Sequence, residues 1–379
     1  MRLGSSQRVM CAAGMAAVWL LGVAVRGQAQ EQTPLMSEQA FKNVQVLKGL
    51  SVNEFLMTMG VFSASLGWSC QNCHSGDDRN WAAFAKESTG IRTTRRMITM
   101  MAEINKTQFG GRQAVTCFTC HRGSEQPRTA ADLDLLYGPP PDIPSHLVEQ
   151  APTAPSADQV LDKYIQALGG AQRLAALTSF TARGTAVGYG PESLDVRPTE
   201  IYARAPNQLT TIIHTESGDI TTANDGRVAW LASTFRPIPV VSLSGQDLEA
   251  ARMDAIVAFP GQIKQALRNV RVGFPAAIDG REVHVVQGTT AAGALVTLSF
   301  DAETGLLVRQ MRYVASPVGP LATRVDYADY REVAGVKVPY RLTQTRLNGR
   351  EKIELTEVRP NVPIDAARFA KPAAPPPPR

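Results

Sequence analysis

The sequence predicts a multidomain protein, in which a mainly α-helical domain is followed by an α+β domain with a curved antiparallel sheet. Two helical patterns, each leading to a short cysteine motif, occupy the first third of the 379 residues. Prolines then interrupt the pattern between residues 138 and 155, and such stretches form semi-rigid spacers rather than regular structure. Beyond residue 170, short strand-like runs separated by turn residues dominate. The 44% hydrophobic and 19% charged residues are typical of a chain that buries ordinary cores.

These patterns divide the chain into five segments. They are a signal peptide at 1–29, a helical domain at 30–135, a Pro-rich linker at 136–155, the sheet domain at 156–371 and a Pro-rich tail at 372–379.

The first segment has the pattern of a secretory signal peptide. Arg2 and Arg8 supply the positive start, residues 10–25 are apolar and rich in small side chains, and cleavage is expected near Ala29. We therefore expect an exported protein located in the periplasm. An uncleaved membrane anchor is the alternative, and the apolar run is short for a span. Loss of this segment removes three arginines from a formal charge of +5 and leaves +2, which excludes a strongly basic nucleic-acid-binding surface.

The cysteines outside the signal peptide form two pairs, and each pair is followed at once by histidine. Residues 70–74 read Cys-Gln-Asn-Cys-His, and residues 117–121 read Cys-Phe-Thr-Cys-His. This C-x-x-C-H pattern attaches c-type haem, because residues three apart on a helical turn share a face and both thiols reach one porphyrin. The adjoining histidine is then the proximal iron ligand. The sequence predicts two covalently bound haem c groups, held by the following residues: Cys70, Cys73, Cys117 and Cys120 as attachment sites, and His74 and His121 as proximal ligands.

Three other chemistries use paired cysteines. Two C-x-x-C knuckles could build a zinc site, a single pair could act as a redox dithiol, and the pairs could close as tight disulfides. None of these explains why both pairs end in histidine.

A methionine-bearing helix precedes the first motif. Ser51 and Glu54 form a capping box at its start, and Gly67 is placed to end it. Met59 belongs to an apolar stripe along this helix, whereas Met57 lies roughly 200° around the axis, so only one of the two can face a given iron. The stripe favours Met59 as the distal ligand.

A second methionine-bearing helix precedes the second motif and is expected to end near Gly110. Met97, Met101 and Ile104 share one of its faces. Methionine packs well in cores, so the hypothesis is that one methionine per helix ligates iron and the others only pack. His/Met ligation gives an iron with no open position for substrate.

Several separate stretches resemble the tetrahaem cytochrome subunit of purple-bacterial photosynthetic reaction centres. They are residues 41–48, 57–67, 95–97 and 115–123, and the resemblance covers about residues 38–128. It implies that the helical segment is a dihaem cytochrome c domain, half of such a subunit, because the chain has two attachment motifs where the family has four. Docking to a photosynthetic reaction centre is not implied.

The resemblance also implies the distal ligands. By position it points to Met59 for the first haem and Met97 for the second, and another repeat of the family, with slightly longer spacing, would select Met57 in place of Met59.

The C-terminal segment begins with an amphipathic helix around residues 160–168 and continues as strands. Residues 294–314 and 340–358 are predicted hairpins, the second with an Asn-Gly turn at 348–349, and a helix at 248–259 interrupts the strands. The pattern resembles the half-barrel of periplasmic lipoprotein carriers in style of fold, without a specific motif. Its concave face is expected either to bind an apolar molecule, a lipid or a quinone-like compound, or to be filled by side chains and serve for docking.

Taken together, the sequence predicts a periplasmic electron carrier rather than a catalyst with its own substrate. Electrons would pass between a membrane-bound oxidoreductase and another redox protein. One alternative is a dihaem peroxidase, which requires one iron with an exchangeable distal position. The other is a lipid or lipoprotein binder that acts through the C-terminal domain.

Overall fold

The computed structural model describes residues 34–75, 81–131, 133–138, 147–188 and 194–372. All of them belong to one compact unit that runs from Thr33 to Arg379. The predicted signal peptide, part of the predicted linker and nearly all of the predicted tail lie outside the described residues.

The N-terminal part contains short and long helices joined by irregular loops, so it is helical only in part. In chain order the helices are α1 Ser37–Ala40, α2 Val52–Leu66, α3 Thr89–Gln108, α4 Cys117–His121 and α5 Leu133–Tyr137. Two short 3-10 turns, Cys70–Asn72 and Trp81–Ala85, lie between α2 and α3.

Helix α2 begins and ends where its sequence predicts. The Ser51 hydroxyl accepts from the Glu54 amide, and the Glu54 carboxylate accepts from the Ser51 amide, which completes the capping box. Gly67 ends the helix in the left-handed conformation (φ 68°). A Cβ at Gly67 would lie 2.6 Å from the Gly123 carbonyl oxygen, so this glycine also permits the close approach of the chain that follows α4.

Helix α3 starts earlier than its apolar pattern indicates, because Ser88 caps it. Its buried line is Ile98, Met101 and Asn105, which lie three or four residues apart and therefore on one face. Met97 is only partly buried beside this line.

The C-terminal part is an α+β domain built on a curved antiparallel sheet, as predicted. Its helices are α6 Ala157–Ala167, α7 Ala171–Ala176 and α8 Gly245–Ala258. Its strands are β1 Ser179–Gly188, β2 Arg197–Arg204, β3 Gln208–Ile213, β4 Ile220–Asn224, β5 Ala229–Ser233, β6 Val240–Leu243, β7 Arg268–Val272, β8 Ala276–Ile278, β9 Arg281–Thr289, β10 Leu295–Asp301, β11 Leu307–Val314, β12 Leu321–Val333, β13 Val336–Arg346 and β14 Gly349–Pro360.

Neighbouring strands in the sheet are mostly neighbours in sequence. The order is β6-β5-β4-β3-β2-β1-β14-β13-β12-β11-β10-β9-β7, with β8 paired to β9. The pairing of β1 with β14 brings the two ends of the domain together. The main hydrophobic core lies between this sheet and α6, where the rings of Tyr164 and Phe300 pack with centroids 5.1 Å apart.

Both predicted hairpins are present, and one turn is displaced by a residue. β10 pairs with β11 as expected. In the second hairpin Arg346 pairs with Gly349, so the loop consists of Leu347 and Asn348 rather than the predicted Asn-Gly pair. Leu347 packs on a cluster that includes Val61 of α2, and this tertiary contact outweighs the local turn preference.

The N-terminal part packs directly on the sheet. Val61, Ile98 and Met101 share a hydrophobic cluster with Val318 and Leu321, from the β11–β12 connection and the start of β12. In this compact unit the methionine-bearing helices α2 and α3 therefore form part of the same core as the sheet.

Described residues of the predicted linker also contact the sheet. The Ala151 amide donates to the Val272 carbonyl at 3.0 Å, and the Val148 amide donates to the Gln287 side chain at 2.7 Å. Within the described ranges, every helix falls short of the combination of length and apolar character that a membrane span requires.

Candidate haem-binding sites

The first motif forms a compact 3-10 turn. The amide of Cys73 donates to the Cys70 carbonyl at 3.2 Å, and the amide of His74 donates to the same carbonyl at 2.9 Å. Asn72 fixes the start of the turn, because its side-chain oxygen accepts from the amide and the hydroxyl of Ser69.

Contacts with Phe84 fix the orientation of the His74 ring and leave its Nε2 for a prospective iron. Its Nδ1 lies 2.8 Å from the Phe84 carbonyl oxygen, and the ring stacks on Phe84 with centroids 5.0 Å apart and planes 17° apart. With the proton on Nδ1, Nε2 presents its lone pair, which is the arrangement that metal-ligating histidines adopt.

The second motif is a single turn of α-helix, α4. The hydroxyl of Thr116 accepts from the Thr119 amide, and the Thr119 hydroxyl accepts from the Thr116 amide at 3.0 Å. Arg122 ends the turn with φ 51°. The Cys117 amide donates to the Val318 carbonyl at 3.2 Å, so the motif is tied to the sheet domain at its first cysteine.

His121 repeats the arrangement of His74. Its Nδ1 lies 3.1 Å from the Ser124 carbonyl oxygen, which again favours Nε2 as the metal ligand. Two sequence motifs with different backbone conformations thus hold their histidines in the same way. The donor set in each motif, two thiols and one oriented imidazole, fits covalently attached haem.

The thiols differ in their surroundings. Burial raises the pKa of the Cys117 thiol to about 11, and burial also raises the pKa of Cys73, against a hydrogen bond with Thr94. The four motif cysteines, which are the ones the structure describes, form no disulfide. Among the described residues, no three Cys, His, Asp or Glu side chains form a group that could hold a metal ion, so the zinc alternative has no ligand cluster there.

Two methionines of α2 line the cavity that the first motif borders. Met59 and Met57 both line one cavity with Cys73 and His74. Met57 also packs on the cluster that contains Val61, so part of its surface is used in core packing. The assignment of Met59 as distal ligand, with Met57 as runner-up, stays a prediction.

Methionine reaches the second motif from α3. Met101 is buried in the cluster on which Cys117 packs, whereas Met97 is only partly buried one turn earlier. The assignment of Met97 as distal ligand also stays a prediction. The proximity of Met101 to the second motif was missed by the sequence analysis, although both methionines lie on the face it singled out.

The cavity beside the first motif is large, with a volume of about 1410 Å³. One side is formed by α2 and residues of the first motif, and the other by the concave face of the sheet and by α8. The sequence analysis missed this arrangement, because the walls come from segments up to about 300 residues apart.

Two C-x-x-C-H segments with anchored histidines have the pattern of the attachment sites of c-type cytochromes. Residues 21–131 match the family model described as the photosynthetic reaction centre cytochrome C subunit, which confirms the predicted resemblance for the N-terminal part.

Curated relatives agree with this match. The chain is 36% identical over 123 residues to the photosynthetic reaction center cytochrome c subunit of Thermochromatium tepidum, over 31% of this chain and 28% of the relative. The protein of the same description from Rubrivivax gelatinosus is 35% identical over 96 residues, which are 24% of this chain and 25% of the relative. The chain thus spans about a quarter of the length of these relatives.

Solved structures match the sheet-forming part. A LolA superfamily protein from Nitrosomonas europaea is 14% identical, with a TM-score of 0.41, over 57% of this chain and 99% of that one. A DUF1329 family protein from Desulfovibrio piger is 10% identical, with a TM-score of 0.41, over 57% and 98%.

Proposed function

We propose that this protein is an exported dihaem c-type cytochrome that carries electrons in the periplasm between a membrane-bound oxidoreductase and another redox protein. The observation that carries the proposal is that both motif histidines place Nδ1 against a backbone carbonyl oxygen, at 2.8 Å for His74 and 3.1 Å for His121. Structural cysteine pairs have no need of such an anchored imidazole, whereas iron ligation does.

The chain's residues have distinct roles in this proposal. Cys70 and Cys73 attach the first haem, and Cys117 and Cys120 attach the second. Bound haem supplies reversible one-electron chemistry, and methionine opposite histidine raises its potential and closes the sixth position. Met59 is the proposed distal ligand of the first site.

The second haem site is proposed on the same kinds of observation as the first. His121 is the proposed proximal ligand and Met97 the proposed distal ligand. The Asn105 side chain orders the entry to this motif, because it donates to the Val115 carbonyl at 2.7 Å and accepts from the amides of Ala114 and Val115.

Export is supported by the signal-like pattern of residues 1–29 and by the chemistry of the motifs. Cleavage is proposed near Ala29. The domain layout is proposed as predicted, with the cytochrome part at 30–135, the linker at 136–155 and the sheet domain at 156–371.

The test is a haem count on the full-length protein expressed with its own leader in a host that matures c-type cytochromes. A pyridine haemochrome assay on the periplasmic fraction should give two haems per chain. A colourless mature protein that contains zinc would overturn the proposal.

A dihaem peroxidase is the alternative from a different class. It needs one iron whose sixth position exchanges, so peroxide or cyanide would change the spectrum of one haem. If both ferric haems are low spin and unchanged by either reagent, the alternative is excluded.

A second function is favoured by one specific observation, the cavity of about 1410 Å³ under the sheet. We propose that the sheet domain binds an apolar ligand there, either a lipid or a quinone-like molecule, in addition to the redox role of the N-terminal part. Small-molecule sites commonly measure about 300–1,000 Å³. The cavity, at about 1410 Å³, is therefore large enough for part of a haem and a further ligand.

A further inference from the structure

The cavity has two ends of different chemistry that are joined in one space. At one end lie Met59, Cys73 and His74, the residues proposed to hold the first haem. At the other end lies the concave face of the sheet, closed over by α8. A ligand held by the sheet residues would therefore share this cavity with the first haem.

The sheet end is lined by rows of side chains that cross neighbouring strands. One row consists of Leu231, Thr222, Thr211 and Ile201, which are paired in sequence across β5, β4, β3 and β2. A second row consists of Tyr327, Leu342 and Ile353 across β12, β13 and β14. These surfaces are mostly apolar and extended, and they suit an elongated apolar molecule.

The charged groups of α8 that border the cavity already have partners. Arg312 donates to the Asp254 carboxylate, and Gln310 donates to the same oxygen at 3.2 Å. Arg312 is 4% exposed. Because this pair is internally compensated, it offers no free charge to a charged head group.

Two further sets of polar groups in the cavity lining are also paired. Asn53 donates to the Asp247 carboxylate at 2.6 Å and accepts from Arg236 at 2.9 Å. Arg197 pairs with Glu351 at 3.0 Å. Beside these paired groups, a ligand with a charged head would be costly to bury, which favours a neutral, polar head there.

We propose that this cavity binds a quinone-type molecule, with its apolar tail along the sheet and its neutral ring beside the first haem-attachment motif. The inference rests on the proposed function, since only a haem at Cys70 and Cys73 makes a redox-active ligand useful there. It adds the quinone class as a further electron donor to the carrier of the proposed function, with the sheet domain as the site where that donor binds.

The reaction balances with the two haem sites of the proposed function. A hydroquinone that becomes a quinone loses two electrons and two protons. Ferric haems held at the two motifs would supply the oxidant, one electron acceptor each, and the two protons would pass to water. His/Met ligation raises haem potential, so the transfer runs from the hydroquinone to the protein.

The test uses the full-length holoprotein, after two haems per chain have been counted. Binding of decylubiquinone, a neutral quinone with a ten-carbon tail, is measured by isothermal titration calorimetry. We expect one site per chain with micromolar affinity. Anaerobic decylubiquinol should also reduce both haems, at one quinol per chain.

Two variants make the sheet end of the cavity narrower, and a third variant is the matched control. Thr222→Phe and Thr211→Phe place a ring in the cavity and should weaken quinone binding at least tenfold. Thr221→Phe adds the same ring to the adjacent residue of β4, which faces the other side of the sheet, and should leave affinity within twofold. Haem content should be unchanged in all three.

Two competing ligands test the head-group argument. Dodecanoate carries a charged head and dodecylphosphocholine a zwitterionic one, and both should bind at least tenfold more weakly than the quinone. Equal binding of either, no saturable quinone binding, or equal effects of Thr222→Phe and Thr221→Phe would overturn the inference. A chain without haem overturns the proposed function instead, so the two failures are distinguishable.

Discussion

The two C-x-x-C-H motifs have the same pattern but different surroundings. The first is a 3-10 turn, Cys70–Asn72, whose cysteines and histidine border the large cavity. The second is an α-helical turn, Cys117–His121, whose first cysteine packs on a hydrophobic cluster and bonds to the Val318 carbonyl. One motif therefore opens towards a prospective ligand, and the other is tied into the core.

The two motifs share their local hydrogen bonds and differ in their tertiary contacts. In each motif, the N-cap residue and the residue three positions later form hydrogen bonds in both directions, Ser69 with Asn72 and Thr116 with Thr119. In each, a backbone carbonyl oxygen also lies within hydrogen-bond distance of the histidine Nδ1. The cavity and the cluster arise only when the sheet packs on α2 and α3. The two motifs therefore differ in what surrounds them, a cavity at the first and a hydrophobic cluster at the second.

The largest expected effect comes from removing the thiols of one motif at a time. Replacing Cys70 and Cys73 together by Ala should lower the haem content from two per chain to one, and so should replacing Cys117 and Cys120 together. Only the second double variant should also weaken core packing, because Cys117 packs on the cluster with Val318. A pyridine haemochrome assay and a thermal melt measure the two effects. Loss of both haems from either variant would contradict the independence of the sites.

The next effect concerns the distal ligands. Met59→Ala and Met97→Ala should each convert one ferric haem from low to high spin, since the thioether bond is lost while the covalent attachment remains. Electron paramagnetic resonance of the ferric protein measures the spin state of each haem. The matched controls are Met57→Ala and Met101→Ala, which should leave both haems low spin. If a control variant converts a haem and its partner does not, the ligand assignment at that site moves to the control residue.

The third effect is on stability, near the second motif. Asn105 is 7% exposed, and its amide makes three hydrogen bonds to the backbone of Ala114 and Val115. Asn105→Ala should therefore lower the free energy of unfolding by about 3 kcal/mol, at roughly 1 kcal/mol for each bond. Urea denaturation measures this. Gln108→Ala, at an exposed position of the same helix, should change it by less than about 0.5 kcal/mol, and equal losses in the two variants would refute a specific role for Asn105.

The sequence predicts most of what is decided locally. The capping box at Ser51 and the glycine end of α2 at Gly67 follow from neighbouring residues, and both are confirmed. The two attachment motifs are recognisable because their chemistry requires fixed spacing. The hairpin turn at residues 348–349 was wrong by one residue, because Leu347 packs on the N-terminal part, a contact that no local pattern contains.

The cavity and its polar walls could not be predicted for the same reason. Asn53 and Asp247 are hydrogen-bonded at 2.6 Å although they lie 194 residues apart. Asn105 carried one usable signal, since it lies on the same helical face as Ile98 and Met101 and so belongs to the buried line. A polar residue on a buried helix face needs hydrogen-bond partners. This rule would have identified Asn105 as a residue that makes structural hydrogen bonds.

The smallest expected effect is a pH dependence of stability that comes from Asp247 in the cavity wall. Burial raises the pKa of Asp247, against its hydrogen bond with Asn53, and the nearby charges of Glu54, Arg346 and Arg236 act in both directions. Because the pKa is higher in the folded state, the unfolded chain ionises first as pH rises. The stability contributed by this carboxyl is thus present below its ordinary pKa and lost as pH rises through the raised value.

Asp247→Asn removes this dependence while keeping a hydrogen-bond partner for Asn53. At pH 7 the variant should melt higher than the wild type by about 1–3 °C, corresponding to roughly 1 kcal/mol, and the difference should vanish near pH 4. Differential scanning calorimetry at both values measures it. Asp279→Asn, at an exposed position, should show no difference at either pH. A variant that melts lower than the wild type at pH 7 would mean that Arg236 and Arg346 stabilise the ionised carboxylate by more than burial disfavours it.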